Sequence, residues 1–214
     1  MPLRSALRSA FAGLASAAVC FGAANAATVM LDRANIGAAP VLSGMIGDVA
    51  VSATAATWER NADGTGRIDL LGANDTATLQ AWAGHGLGLR NDPQGDTSHT
   101  IDGFGTLDLV VLEFGREVTL SGLGFSYVNA WDDFVLFSGD SLETLTAYSL
   151  MDVAHGMVAL DVTARVFGIG ASDWNDSFKL TAIDLEVAAV PVPGAVLFAL
   201  TGFAGAAWTR RRSA

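Results

Sequence analysis

Between residues 27 and 190 no segment carries a long apolar stripe at a 3.6-residue period. The apolar residues come instead in short runs broken by glycine and aspartate. A surface helix needs such a stripe to bury one side against a core, so the pattern restricts this region to strands. Leu107-Asp108-Leu109-Val110-Val111-Leu112-Glu113-Phe114 is apolar on both faces of a pleat, as suits a central strand covered from both sides. Residues 117–128 carry Val118, Leu120, Leu123, Phe125 and Tyr127. Their apolar phase switches between Leu120 and Leu123, with Gly122 at the switch, which predicts a bulge. Further strands are expected at residues 28–32, 48–57, 68–71, 76–82, 133–137, 145–151, 157–160, 165–169 and 178–187, with a hairpin turn at Asp63-Gly64. Many short strands joined by Gly and Asp turns imply an all-β fold, a β-sandwich or jelly roll.

Both ends of the chain differ from this middle. Arg4 and Arg8 precede an apolar stretch over residues 10–24, and Ala24-Asn25-Ala26 is a small-x-small site. That is the pattern of a secretory signal peptide over residues 1–26, cleaved before Ala27. Cys20, the sole cysteine, lies inside it. Its preceding residues, Ala17-Ala18-Val19, do not fit lipoprotein processing, and the mature chain is left without disulfides. At the other end Val190-Pro191-Val192-Pro193 stops regular structure, because proline fits neither a helix interior nor a central strand. An uncharged apolar run over residues 194–208 follows, then Arg210-Arg211-Arg212. The run is short for a span but has no polar face, and it is expected to form a single transmembrane helix. The arginines would stay in the cytoplasm and the domain over residues 27–189 outside it.

A Pro-x-Pro motif, a short span and an arginine cluster, in that order at the terminus, resemble the sorting signal of PEP-CTERM proteins. The form here is the Val-Pro-x-Pro variant; the commonest form has Glu between the prolines. The resemblance implies a bacterial, Gram-negative exported protein, sorted by an enzyme of the exosortase type. Pro191, Val192 and Pro193 would be the recognised segment, and Arg210, Arg211 and Arg212 the topological stop. Such a protein would be anchored in the inner membrane before processing, then displayed at the cell surface or secreted. A second likeness lies in the middle. Gly86-Leu87-Gly88-Leu89-Arg90-Asn91-Asp92 leads through His99 to Ile101-Asp102-Gly103; residues 107–114, Glu117-Val118-Thr119-Leu120, residues 131–137 and Asp176-Ser177-Phe178-Lys179-Leu180 follow. This order is similar to a common extracellular domain of PEP-CTERM proteins. It implies a β-sandwich and gives no catalytic residues to carry over.

Charge narrows the partners. Seven of the 12 lysines and arginines lie between residues 27 and 190, with all 22 acids, a net charge of −15 for that segment. A surface this acidic repels phosphate backbones and argues against nucleic acid. It suits solubility and the attraction of divalent cations. The loop over residues 91–108 offers Asn91, Asp92, Asp96, Asp102 and Asp108, with His99 among them. Hard oxygen ligands of this kind suit calcium. Asp, Asn and Gly are equally ordinary turn formers, and a solvated loop accounts for the same residues. Asn61-Ala62-Asp63-Gly64 fails as an EF-hand, because the position needing a bidentate Glu falls on Leu70.

Gly139-Asp140-Ser141-Leu142 and Asp152-Val153-Ala154-His155 spell the blocks of a GDSL esterase. Their close spacing and the absence of helices speak against that chemistry and for a turn. His85, His99 and His155 show no zinc spacing and read as loop residues. Trp82, Trp131 and Trp174 would stack on sugar rings if exposed, or plug the ends of the sandwich if buried. Trp131 stands beside Asp132 and Asp133, and Trp174 beside Asn175 and Asp176, an aromatic next to polar acceptors as a carbohydrate site requires. The expected role is therefore non-enzymatic. It is a structural or binding function at the envelope, associated with extracellular polysaccharide, or else a calcium-dependent carbohydrate-binding module.

Overall fold

A computed structural model describes residues 25–60, 66–70, 77–91, 99–153 and 156–187. Among them thirteen strands belong to one sheet. They are β1 (Asn25–Met30), β2 (Ile36–Ala39), β3 (Val41–Ile46), β4 (Val49–Arg60), β5 (Gly66–Leu70), β6 (Thr78–Trp82) and β7 (Gly86–Arg90). Then come β8 (Ile101–Asp102), β9 (Leu107–Ser126), β10 (Asp133–Gly139), β11 (Thr146–Asp152), β12 (Gly156–Ala171) and β13 (Ser177–Val187). The path through the sheet is β11-β10-β12-β9-β13-β7-β6-β2, with β4 joined to β9 and β1 and β8 to β13.

Strand β9 organises the sheet. Its first half pairs with β4, from Trp58↔Leu107 to Val51↔Phe114. Its second half pairs with β13, from Glu186↔Thr119 to Lys179↔Ser126. Along the other edge β12 follows it nearly throughout, from Gly156↔Phe125 to Gly170↔Leu109. The register shifts between Leu120 and Gly122 against both neighbours, at the glycine where the apolar phase switches. Such irregularities bend a strand without ending it.

This corrects the β-sandwich or jelly roll expected from the sequence. The strands form one continuous, largely open sheet, because residues 107–114 and 117–128, read as two strands, are one. Residues 157–160 and 165–169 likewise belong to the single strand β12. The terminal strands of the path, β11 and β2, do not pair to close a barrel.

The expected transmembrane helix is also corrected. Crossing a bilayer takes about 20 apolar residues in a helix. Among the described residues no helix is long and apolar enough to cross a membrane, and the sole helix is the single turn Leu142–Thr144. The run over residues 194–208 lies outside the described residues. The described molecule supplies neither the membrane as a partner nor an inner-membrane-anchored stage.

Both faces of β9 are covered, as its unbroken apolar run requires. Val110, Leu112 and Phe114 enter the main core with Leu79, Leu89, Phe134, Phe167, Phe178 and Leu180. Leu109 and Val111 point the other way, into a smaller cluster with Trp58, Val135, Phe137 and Val166. Trp58 meets Phe137 edge to face at 5.3 Å and donates its indole N–H to the Ala171 carbonyl at 2.8 Å, so its polar edge is satisfied inside the core. Each fully buried Phe or Leu contributes about 1.5–3 kcal/mol.

Candidate binding end of the sheet

Three loops meet where β8 ends and β10 and β13 begin. Two buried carboxylates, Asp132 and Asp176, each 2% exposed, hold them together. Asp132 accepts from the Asn129 backbone N–H (2.6 Å), the Asn129 side-chain amide (2.9 Å) and the Ser177 N–H (3.2 Å). Asp176 accepts from the Asp133 N–H (3.0 Å), the Ser172 N–H and hydroxyl (2.9 and 2.8 Å) and the Asp173 N–H (2.6 Å). Each acid therefore binds its own loop and the first residue of the strand that follows the other. Charge-assisted bonds of this kind are the strong ones. The third loop joins through the Gly103 N–H, which donates to the Asp176 carbonyl at 3.1 Å. Gly103 has no substitute here, since a Cβ would collide with the Asp173 carbonyl oxygen.

The latched loops hold large rings in solvent. Trp131 is 79% exposed, Trp174 73% and Phe104 65%. Their backbones are fixed: the Trp131 N–H donates to Asn129 Oδ1 (2.8 Å), Trp174 N–H to Asp173 Oδ1 (2.7 Å) and Phe104 N–H to Asp102 Oδ1 (2.9 Å). Trp131 and Trp174 are thus exposed rather than plugging the end of the sheet. Asp132 and Asp176, read in the sequence as sugar-facing acceptors, instead turn inward. Phe104 carries no sequence signal beyond the glycines on either side of it. The alternation of an exposed ring with a buried acid, Trp131-Asp132 and Trp174-Asn175-Asp176, is the pattern by which these loops are recognised.

Asp133 opens β10 directly across from Asp152 of β11. Burial raises its pKa above the ordinary carboxylate value, and a hydrogen bond with Asp152 and the charges of Asp176, Asp152 and Asp132 raise it further.

The proposed calcium ligands divide. Asp92 and Asp96 lie outside the described residues. Asp108 is fully buried and accepts from the Asn91 side-chain amide (2.6 Å) and, at 3.3 Å, from the Asp102 N–H. Asp102 accepts from the Thr100 hydroxyl at 2.9 Å. Asn91, Asp102 and Asp108 are thereby engaged in holding their own loop. Among the described residues no group of three or more His, Cys, Asp or Glu is placed to hold a metal ion. The sorting residues Pro191, Val192, Pro193, Arg210, Arg211 and Arg212 lie outside the described residues, as do Asn61 to Gly64 and His155. Ser141 sits in a tight turn, its N–H donating to Thr144 Oγ1 at 2.9 Å, and its hydroxyl hydrogen-bonds Glu143, which lowers that carboxyl's pKa.

A second aromatic group, which the sequence leaves scattered, gathers beside the first. Lys179 on β13, the one lysine of the sequence, is 7% exposed. Its ammonium lies 4.2 Å from the centre of the Trp82 ring and 4.9 Å from that of Tyr127. His99 stacks on Trp82 at 5.3 Å, and Tyr127 Oη is in hydrogen-bond contact with His85 Nδ1 at 2.7 Å. His99 and Tyr127 both take left-handed backbone, with φ of 53° and 59°. Each such residue costs on the order of 1 kcal/mol and persists only where its surroundings enforce it. At His99 the chain packs tightly on β7: its carbonyl approaches so closely that a Cβ at Gly88 would strike it.

No protein-family model matches this sequence, and no curated protein matches it. The geometry of these loops carries the functional reading by itself.

Proposed function

We propose that this chain is an exported, non-catalytic binding protein of the PEP-CTERM type. Its β domain holds extracellular polysaccharide on the rings of Phe104, Trp131 and Trp174. The observation that carries this reading is the exposure of two indoles in loops locked from beneath by Asp132 and Asp176. A large ring left in water normally folds back over apolar surface. Here the hydrogen bonds fix the loops that carry the rings, and the rings stand exposed on them, which leaves flat apolar faces available to a partner. Sugar rings suit such faces, with one apolar side for stacking and hydroxyl groups at the rim. The acidic surface excludes nucleic acid as the stacking partner.

The test is calorimetry with a panel of soluble hexose oligosaccharides, comparing the natural protein with a Trp131→Ala/Trp174→Ala variant. Loss of a central aromatic contact costs about 2 kcal/mol or more, so affinity should fall about thirtyfold at the least. The variant should unfold as the natural protein does, since neither indole is buried. Equal binding by both proteins, or no binding by the natural protein, overturns the proposal.

A further inference from the structure

We propose that Lys179, with Trp82, Tyr127 and His99 around it, forms a subsite that reads the carboxylate of an acidic sugar, a uronate, within the bound glycan. This rests on the polysaccharide reading and names the sugar class.

Three observations support it. The domain has three acids for each cation, yet among the described residues its one lysine has no carboxylate partner and makes no hydrogen bond; two aromatic rings face its ammonium. A largely buried charge with no ionic partner is costly, and an anion is what relieves it. A second polar group on the same indole is also unmatched: His99 Nδ1 is buried without a hydrogen-bond partner, and the imidazole stacks on Trp82. The walls are held in strained backbone at both His99 and Tyr127, and strain of this kind concentrates at ligand sites.

The position fits as well. Tyr127 lies four residues before Trp131, and Lys179 five after Trp174, with Ser177 between them hydrogen-bonded to Asp132 and Thr100. Tyr127 is 56% exposed, so the cluster opens toward solvent on the side of this ring. The net charge of −15 on the segment that carries the cluster repels a polyanion. The chemistry therefore selects a glycan with isolated uronates among neutral sugars.

The experiment pairs each neutral oligosaccharide of the panel with its counterpart oxidised at one C6 to a carboxylate, titrated into the full protein. The natural protein should prefer the uronate form at least tenfold. Lys179→Gln should lose that preference and keep its affinity for the neutral form, while Lys179→Arg should retain part of it. A second readout uses the natural protein alone: acetic anhydride acetylates the Lys179 side chain, and the bound uronate oligosaccharide should slow this at least tenfold relative to the neutral one, as read by mass spectrometry. Equal affinity for the two forms, or equal acetylation, overturns the uronate subsite and leaves the polysaccharide reading standing. Failure to bind either form removes both.

Discussion

The two aromatic groups at this end of the sheet are built in opposite ways. At the loops, buried carboxylates with every oxygen engaged hold Trp131 and Trp174 out in water. At Lys179, aromatic rings face a largely buried cation that has no counter-ion among the described residues. The first arrangement satisfies its polar groups and leaves its apolar ones exposed. The second gathers its rings around a cation and leaves that cation and His99 Nδ1 unmatched among the described residues. A ligand with a flat apolar face and one anionic substituent, as proposed above, would engage both.

The largest effect should come from breaking the loop latch. Asp176→Ala removes the acceptor of four donors and strands three backbone N–H groups in a buried site. Hydrogen bonds to a charged group are worth about 1.5–3 kcal/mol each and buried orphans cost about 1–3. The loss should reach about 3 kcal/mol or more, a fall in Tm of about 6–12 °C. Thermal unfolding and urea titration measure it. A change below 1 kcal/mol would show that Asp176 does not hold the loops.

A smaller effect is expected where the third loop joins. Gly103→Ala drives a methyl group into the Asp173 carbonyl and the Trp174 backbone. Overpacking of this kind costs about 1–3 kcal/mol. Because the displaced backbone carries Trp174, tryptophan fluorescence should shift even under conditions where the variant stays fully folded. Unchanged stability and emission would show that the loop accommodates the methyl group freely. Lys179, on the far side of Ser177, should keep its reactivity toward acetic anhydride in this variant, which separates the two groups experimentally.

The strands were legible in the sequence wherever one residue type decided the outcome. The run over residues 107–114 announces a strand buried on both faces, and the glycine at position 122 marks the shift in register. Whether a strand stops or merely bends was not legible. Gly115-Arg116 reads as a break because glycine and a charged residue interrupt the apolar pattern, yet β9 runs through it by exchanging β4 for β13. That exchange depends on partners distant in sequence, and it turns two expected sheets into one. The exposed indoles were readable as candidates, because tryptophan beside aspartate is conspicuous. The direction of the aspartates was not, since it follows from donors 43 and 45 residues away. Lys179, Tyr127, His85 and His99 come together only through strand order, so no local pattern reveals them.

The smallest predicted effect concerns the acidic pair at the start of β10. Asp133 and Asp152 face each other across the strands, and Asp132 and Asp176 add negative charge nearby. Burial, the Asp152 hydrogen bond and these charges place the folded-state pKa of Asp133 above its unfolded value near about 3.9. The folded protein therefore binds this proton more tightly than the unfolded chain. The resulting stabilisation is complete below the unfolded pKa and is lost as pH rises through the folded one. Asp133→Asn keeps a hydrogen-bonding side chain but has no proton to lose, so it should flatten the fall in stability that begins above about pH 4. Solvent screens a carboxylate this accessible, so the gain at pH 7 should be below about 1 kcal/mol. Urea midpoints across the acidic range, with unchanged slope, measure it. Asp152→Asn should flatten the curve less, because the burial of Asp133 remains, and the double variant should give less than the sum, because either change removes the one interaction they share. A natural protein and an Asp133→Asn variant with parallel profiles would mean that the two carboxylates do not sense each other.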